Sequence, residues 1–160
     1  MANKIIHKLF PSPVFQFKIE NHEEINKQLI EYIYGLKKED DQGIKRSNVN
    51  GWHSKNFKIE KDNVPYNFIK SIHGHIKEVI VDGFGWKYVP DKVGITEIWS
   101  IINKKGTFNT SHNHPGSYLS AAYYVKAPNE CGNIHFFDPN EIKKFNSPPI
   151  ENPTDLSTSG

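Results

Sequence analysis

The chain holds one cysteine, Cys131, in 160 residues, so no internal disulfide can form. Cys131 lies between Glu130 and Gly132, at a turn expected to open a strand, and reads as a structural or incidental thiol rather than a nucleophile. The lack of disulfides fits a reducing cytosol. Long apolar runs are missing as well. No stretch approaches the roughly 18 residues needed to span a membrane, and the opening MANKIIHKLF has no apolar core of a signal peptide. Charge of one sign is scarce. A net charge of +2, with lysines scattered or in dipeptides such as Lys37–Lys38 and Lys143–Lys144, argues against a nucleic-acid or acidic-membrane partner. Repeats and low-complexity segments are absent too.

What is present is a polar but globular composition, 36% hydrophobic and 24% charged, of a length that fits one domain over 1–160. Ile5–Phe10 and Val14–Ile19 read as short strands around Pro11–Ser12–Pro13. Asn21 followed by Glu24 has the spacing of a capping box, and Ile25, Leu29, Tyr32, Ile33 and Leu36 give the stripe of an amphipathic helix over Glu23–Lys38. Glu39–Asn50 reads as a loop, with Trp52 of Gly51–Trp52–His53–Ser54 anchoring it onto the core. A second helix is expected to begin with Pro65 in its first turn and to bury Phe68, Ile69, Ile72, Ile76, Val79 and Ile80. His73 and His75 lie two apart on it, so they do not share a face.

From Trp86 the pattern turns to strands: Trp86–Val89, Thr96–Ile102, Thr107–His112, Tyr118–Lys126 and Asn133–Phe137, divided by Gly, Pro, Asn and Asp. The expected fold class is α+β and mainly β, a jelly-roll or barrel core with the N-terminal helices packed on it. Its parts are 1–85 (strands and helices), 86–145 (the first part of the β core) and 146–160 (a loop and tail rich in Pro148, Pro149 and Pro153).

The chemistry-bearing candidates are His112 and His114. Side chains at i and i+2 share one face of a strand, so Thr107–His112 running into His114 would present two imidazoles together, before the Pro115–Gly116 turn. An open metal site needs three protein ligands. Two from one strand are preorganised by the sheet; the third must come from elsewhere. Gly106, five residues and then His112–Asn113–His114 resembles the opening of a cupin metal motif, but Tyr118 and Leu119 stand where that motif needs a glutamate.

A fuller resemblance runs through Trp99, Asn103, Gly106, Asn109, His112, His114–Pro115, Ser117, Leu119–Ser120, Tyr123–Tyr124, Pro128, Gly132, Phe136 and Asp138–Pro139, with LFPSPV at Leu9–Val14 and SNVNGWHS at Ser47–Ser54. In these residues the chain resembles a 2-oxoglutarate/iron(II) oxygenase family of marine bacteria and cyanophages, and more distantly the prolyl 4-hydroxylase-type oxygenases. The resemblance implies a double-stranded β-helix, iron(II) with 2-oxoglutarate as cosubstrate and ascorbate as a candidate reductant. It implies hydroxylation of a small-molecule or peptide substrate in a bacterial or phage-infected cell. On that register His112 takes the first ligand position and His114 that of an aspartate, a change that removes a negative charge. Asn103 and Tyr124 fall where relatives face the cosubstrate. No residue is assigned as an acid, base or nucleophile. The relatives' last histidine ligand and the Arg or Lys that pairs with the far carboxylate have no counterpart here: no histidine follows His135 and no arginine follows Arg46. The expectation is therefore a domain lacking its C-terminal strands, inactive in this form and prone to pair as a homodimer through exposed sheet edges. A non-catalytic jelly-roll binding module and a cupin-like metal protein stay open beside it.

Overall fold

The computed structural model describes residues 5–7, 11–138, 149 and 151–152. Two compact units are distinguished, Met1–Lys126 and Ala127–Gly160. In the first, helix α1 runs His22–Glu39 and buries Leu29 and Ile33, with Ile25, Tyr32 and Leu36 half-buried beside them, which is the stripe the spacing predicts. Acidic Glu23 and Glu24 in the first turn and basic Lys37 and Lys38 in the last complement the helix dipole. The capping box does not form. Asn21 has φ 54°, which turns its side chain away from the free N–H groups, and Glu24 instead accepts a hydrogen bond from Gln28 Nε2 at 2.9 Å.

Helix α2, Val64–Glu78, starts as expected with Pro65 in its first turn. Its cap is Asn63, whose Oδ1 accepts from Tyr66 N at 3.0 Å. A π-helical turn, Val79–Gly83, continues it and buries Ile80. The core joins both helices through Leu29, Ile33, Phe68 and Trp52, with Phe57, Ile72, Ile98, Ile102, Tyr123 and Val125 packed around them.

The strands are few and short: β1 Asn48–Val49, β2 Trp52–His53, β3 Ile101–Ile102 and β4 Phe108–Asn109. They form two antiparallel pairs. In one, Asn48 lies opposite Asn109 and Val49 opposite Phe108; in the other, Trp52 lies opposite Ile102 and His53 opposite Ile101. Strand-like bonds extend the second ribbon, Ser54 N to Ser100 O at 3.0 Å and Phe57 N to Ile98 O at 2.8 Å.

Less strand is formed than the expected mainly-β core calls for. Among the described residues α1 has 18 residues and α2 has 15, each strand has two, and no double-stranded β-helix is assembled. Val14–Ile19 is irregular; Phe15 rests on Phe84 and Phe17 on His75. Ile5–His7 is likewise without regular structure, and residues 8–10 lie outside the described set. Trp86–Val89 is irregular and leads into a 3-10 turn at Pro90–Lys92. Thr96–Ile102 and Thr107–His112 contract to β3 and β4. Of Tyr118–Lys126 only the end alternates, with Tyr123 and Val125 against the core and Tyr124 outward, while residues 118–122 are exposed throughout. It is no strand because a strand needs a neighbour in a ladder, and none of the described residues pairs with it.

The described residues of the second unit include a turn in which Cys131 N donates to Pro128 O at 3.2 Å, leaving Cys131 exposed. The strand expected at Asn133–Phe137 is not formed, and Ile134, Phe136 and Phe137 are exposed. The tail expected as loop, 146–160, lies outside the described residues apart from 149 and 151–152. No helix among the described residues is long and apolar enough to cross a membrane.

Candidate metal and cosubstrate site

The β2–β3 ribbon has two unlike faces. Neighbours along a strand point to opposite sides, and residues opposite each other in a ladder share a side. Trp52 and Ile102 face the helices; His53 and Ile101 therefore face away, together with Gly51, Trp99 and Asn103 by the same alternation. The core face is pinned firmly. Trp52 Nε1 donates to Asp40 O at 2.9 Å, and Lys37 Nζ sits 5.2 Å from the centre of its ring. The turn after α1 closes back on β2. Asp40 Oδ1 accepts from Gly43 N at 3.0 Å, and Ile44 N donates to His53 O at 2.9 Å. Gly43 has φ +59°, and a Cβ there would strike His53 O and the Trp52 indole, so this close approach requires glycine.

On the other face lies the histidine pair. Residues 111–114 are not a strand, yet the rings meet as the i, i+2 spacing anticipates: the His112 and His114 centroids are 5.0 Å apart at 70°. His112 Nδ1 donates to Thr110 O at 2.7 Å. A carbonyl can only accept, so the neutral ring carries its proton on Nδ1 and keeps the Nε2 lone pair free. Metal-ligating histidines are commonly fixed by such a bond. Thr110 is in turn seated by Ser47, whose carbonyl accepts from Thr110 N at 2.8 Å. The half-buried His114 ring stacks on Trp99 at 5.7 Å and 30°, and Trp99 stacks on His53 at 5.7 Å and 14°.

Asn103 is held beside this group rather than within it. Its Nδ2 donates to Asn109 Oδ1 at 2.8 Å, and Asn109 Nδ2 donates to Ser47 Oγ at 3.1 Å. Its own Oδ1 lies over Gly51, where any Cβ would collide with it. Tyr124 is 58% exposed and makes no hydrogen bond or ring contact with the histidines. Its neighbour Tyr123 is the anchored one: its hydroxyl donates to Asn26 Oδ1 at 2.8 Å, its ring lies 4.9 Å from Phe68, and burial raises its pKa. His73 and His75 stay apart from the site, His73 Nε2 against the Tyr88 hydroxyl at 2.8 Å and His75 against Phe17.

The structure thus brings His112 and His114 together and leaves Asn103 and Tyr124 without contact to them. It adds Ser47, Gly51, His53, Trp99 and Asn109 as their supports. The signal for His53 was present in the sequence: once Trp52 is placed in the core, strand alternation sends His53 to the other face. As to an iron(II) ion, the pair fits two ligand positions, two nitrogen donors side by side, one with its tautomer fixed. Among the described residues no group of three His, Cys, Asp or Glu is disposed to hold a metal.

No curated protein and no solved structure matches the chain. Residues 97–159, the stretch that carries Trp99, Asn103, His112, His114 and Tyr124, match the model of the family described as putative 2OG-Fe(II) oxygenase.

Proposed function

We propose that this protein acts as a 2-oxoglutarate- and iron(II)-dependent dioxygenase that hydroxylates a C–H bond, on a β-helix core of the family's type. The observation that supports it is a coincidence of two independent findings. The family match covers 97–159, and within it two imidazoles lie 5.0 Å apart, one fixed through Nδ1 to a backbone carbonyl. Iron(II) would let dioxygen be divided between 2-oxoglutarate, which loses carbon dioxide to become succinate, and the substrate C–H bond, which becomes C–OH.

The chain's own residues have simpler tasks. His112 offers Nε2 with its ring direction set by Thr110. His114 offers the second nitrogen, its ring plane set by Trp99. The Asn103 amide and the Tyr124 hydroxyl supply polar contacts to the cosubstrate, and Trp99 walls one side of the site against water. Two neutral imidazoles bring no negative charge, so they would leave a bound ion's positive charge undiminished toward an anionic cosubstrate.

Succinate release and iron(II) retention, measured with and without 2-oxoglutarate, test this reading. His112→Ala is expected to abolish both. Succinate formation that survives His112→Ala, or turnover indifferent to 2-oxoglutarate, refutes it. A second reading, a non-catalytic module that binds a small molecule or peptide, draws on the absence of a three-residue ligand group among the described residues. It predicts no succinate and binding that is unchanged by His112→Ala.

A further inference from the structure

The segment Ser47–Ser54 has no chemistry of its own in the proposed reaction, yet His53 within it is 5% exposed. A histidine that buried usually has its polar atoms occupied or has a task. One atom is occupied: Nδ1 lies 2.6 Å from Ser54 O, which, being a carbonyl, must accept. The ring is therefore locked in its plane by a donor that phenylalanine or leucine would lack. Its face is turned to Trp99, almost parallel at 14°, and Trp99 in turn is stacked on His114.

The two site histidines are held differently. His112 has the Thr110 carbonyl. Among the described residues His114 has no hydrogen bond to either ring nitrogen, and it sits on an irregular segment, so only ring packing defines its orientation. That packing is as firm as Trp99, and Trp99 is as firm as what lies against it. His53 is suited to the task because its backbone is fixed opposite Ile101 and the next residue is doubly tied. Ser54 N donates to Ser100 O at 3.0 Å, and Ser54 Oγ accepts from Ser100 N at 3.0 Å. Offset aromatic pairs of this kind contribute about 0.5–1.5 kcal/mol each beyond their buried area.

We propose that His53 is a positioning residue for the His112–His114 pair, acting through Trp99: the stack His53, Trp99, His114 transmits the rigidity of the β2–β3 ribbon to a ligand ring whose other ring contact among the described residues is His112. The proposal rests on the reading of that pair as metal ligands, and its test separates the two. Cobalt(II) alone serves as the probe, with affinity measured by equilibrium dialysis on the whole chain. Proton NMR of the His114 imidazole, displaced by the Trp99 ring current, reports orientation without any metal. His53→Ala is expected to weaken cobalt binding about tenfold, as loss of an orienting partner does, and to move the His114 signals toward those of free imidazole. His53→Phe, which restores a flat ring but not the Nδ1 donor to Ser54 O, is expected to recover part of both. Trp99→Ala removes the same stack without emptying the His53 site and carries the comparison if His53→Ala does not fold; it is expected to match the loss. Cobalt affinity unchanged by these variants while His112→Ala abolishes it overturns the positioning role. If the unmodified chain binds no cobalt, the metal reading fails. The His114 signals then decide for His53 alone, and their constancy in His53→Ala overturns it.

Discussion

Replacing Gly51 with alanine tests whether the site face of the ribbon is built as described. Gly51 lies one step beyond the Trp52–Ile102 pair, on the same side as Asn103. An added Cβ would meet Asn103 Oδ1 directly, Asn103 Cγ at 3.4 Å and Ile102 O at 3.3 Å. Gly51 has no positive φ, so alanine meets no left-handed backbone strain; the larger cost comes from Asn103 and a smaller one from the Ile102 carbonyl. The Asn103 side chain is exposed and can swing away. In doing so it gives up its bond to Asn109, a loss of about 0.5–1.5 kcal/mol. Against this, alanine restricts the unfolded chain, a gain of about 0.4–1 kcal/mol. The two nearly cancel, leaving a destabilisation of under about 1 kcal/mol.

The sharper consequence is a change of sign. In an Asn103→Ala background the larger collision is gone and the tight approach to Ile102 O remains beside the gain, so Gly51→Ala is expected to stabilise there by at most about 0.4–1 kcal/mol. Urea unfolding of the four proteins, fitted with a common slope, measures the cycle, and the coupling is expected near 1 kcal/mol. A thermal scan should show the same inversion, at about 2–4 °C per kcal/mol for a chain of this size. If Gly51→Ala has the same effect in both backgrounds, Asn103 does not lie over Gly51 and the site face is wrongly assembled. The displaced amide is also expected to weaken 2-oxoglutarate binding in Gly51→Ala, by as much as Asn103→Ala does.

Leu29 is 2% exposed at the centre of the core, so Leu29→Ala is expected to cost about 2–5 kcal/mol, read by urea unfolding; a smaller loss would mean the two helices collapse onto the space. Tyr123→Phe is expected to destabilise by about 1 kcal/mol through loss of the bond to Asn26, whereas Tyr124→Phe should leave stability unchanged and weaken 2-oxoglutarate binding; the reverse pattern would exchange their roles. The Asp40 carboxyl is held below its ordinary pKa by the hydrogen bond from Lys55 and then by that from Gly43 N. Its contribution is therefore complete above the ordinary carboxylate range and is lost as pH falls through the lower folded value. Carboxyl NMR titration of Lys55→Ala should move Asp40 upward, and an unmoved midpoint would refute the pairing.

The sequence revealed most where a single element decides its own structure. The stripe Ile25, Leu29, Tyr32, Ile33, Leu36 and the Pro65 start located both helices, because helix periodicity is written within the helix. Asn21 misled because the same residue that caps a helix also tolerates a left-handed backbone, and φ 54° took the second option. Strands fared worse for a physical reason: alternation fixes which way side chains point, but a ladder needs a distant partner. Tyr118–Lys126 shows the difference, with alternation kept at Tyr123–Val125 and no ladder formed among the described residues. The site divides along the same line. The His112–His114 pair was legible from local spacing. Its supports were not, because they arrive from far along the chain: Asn109 reaches Ser47 across 62 positions, and Ser100 reaches Ser54 across 46.

That distance explains what the helical half does for the site. A two-residue strand pair alone is too small to hold side chains to the tolerance a ligand site needs. Here the ribbon gains stiffness from its other face, where Trp52 and Ile102 are set into the α1–α2 core. Each residue of Gly51–Ser54 then serves one face by alternation: Trp52 and Ser54 tie the ribbon down, and Gly51 and His53 shape the side toward Asn103 and Trp99. Substitutions should separate in the same way, with those on the Trp52 side lowering stability and affinity together, and those on the His53 side lowering affinity more than stability. The helices therefore reach the His114 side of the pair through this ribbon, and the ribbon is where a change in the core would first be felt there.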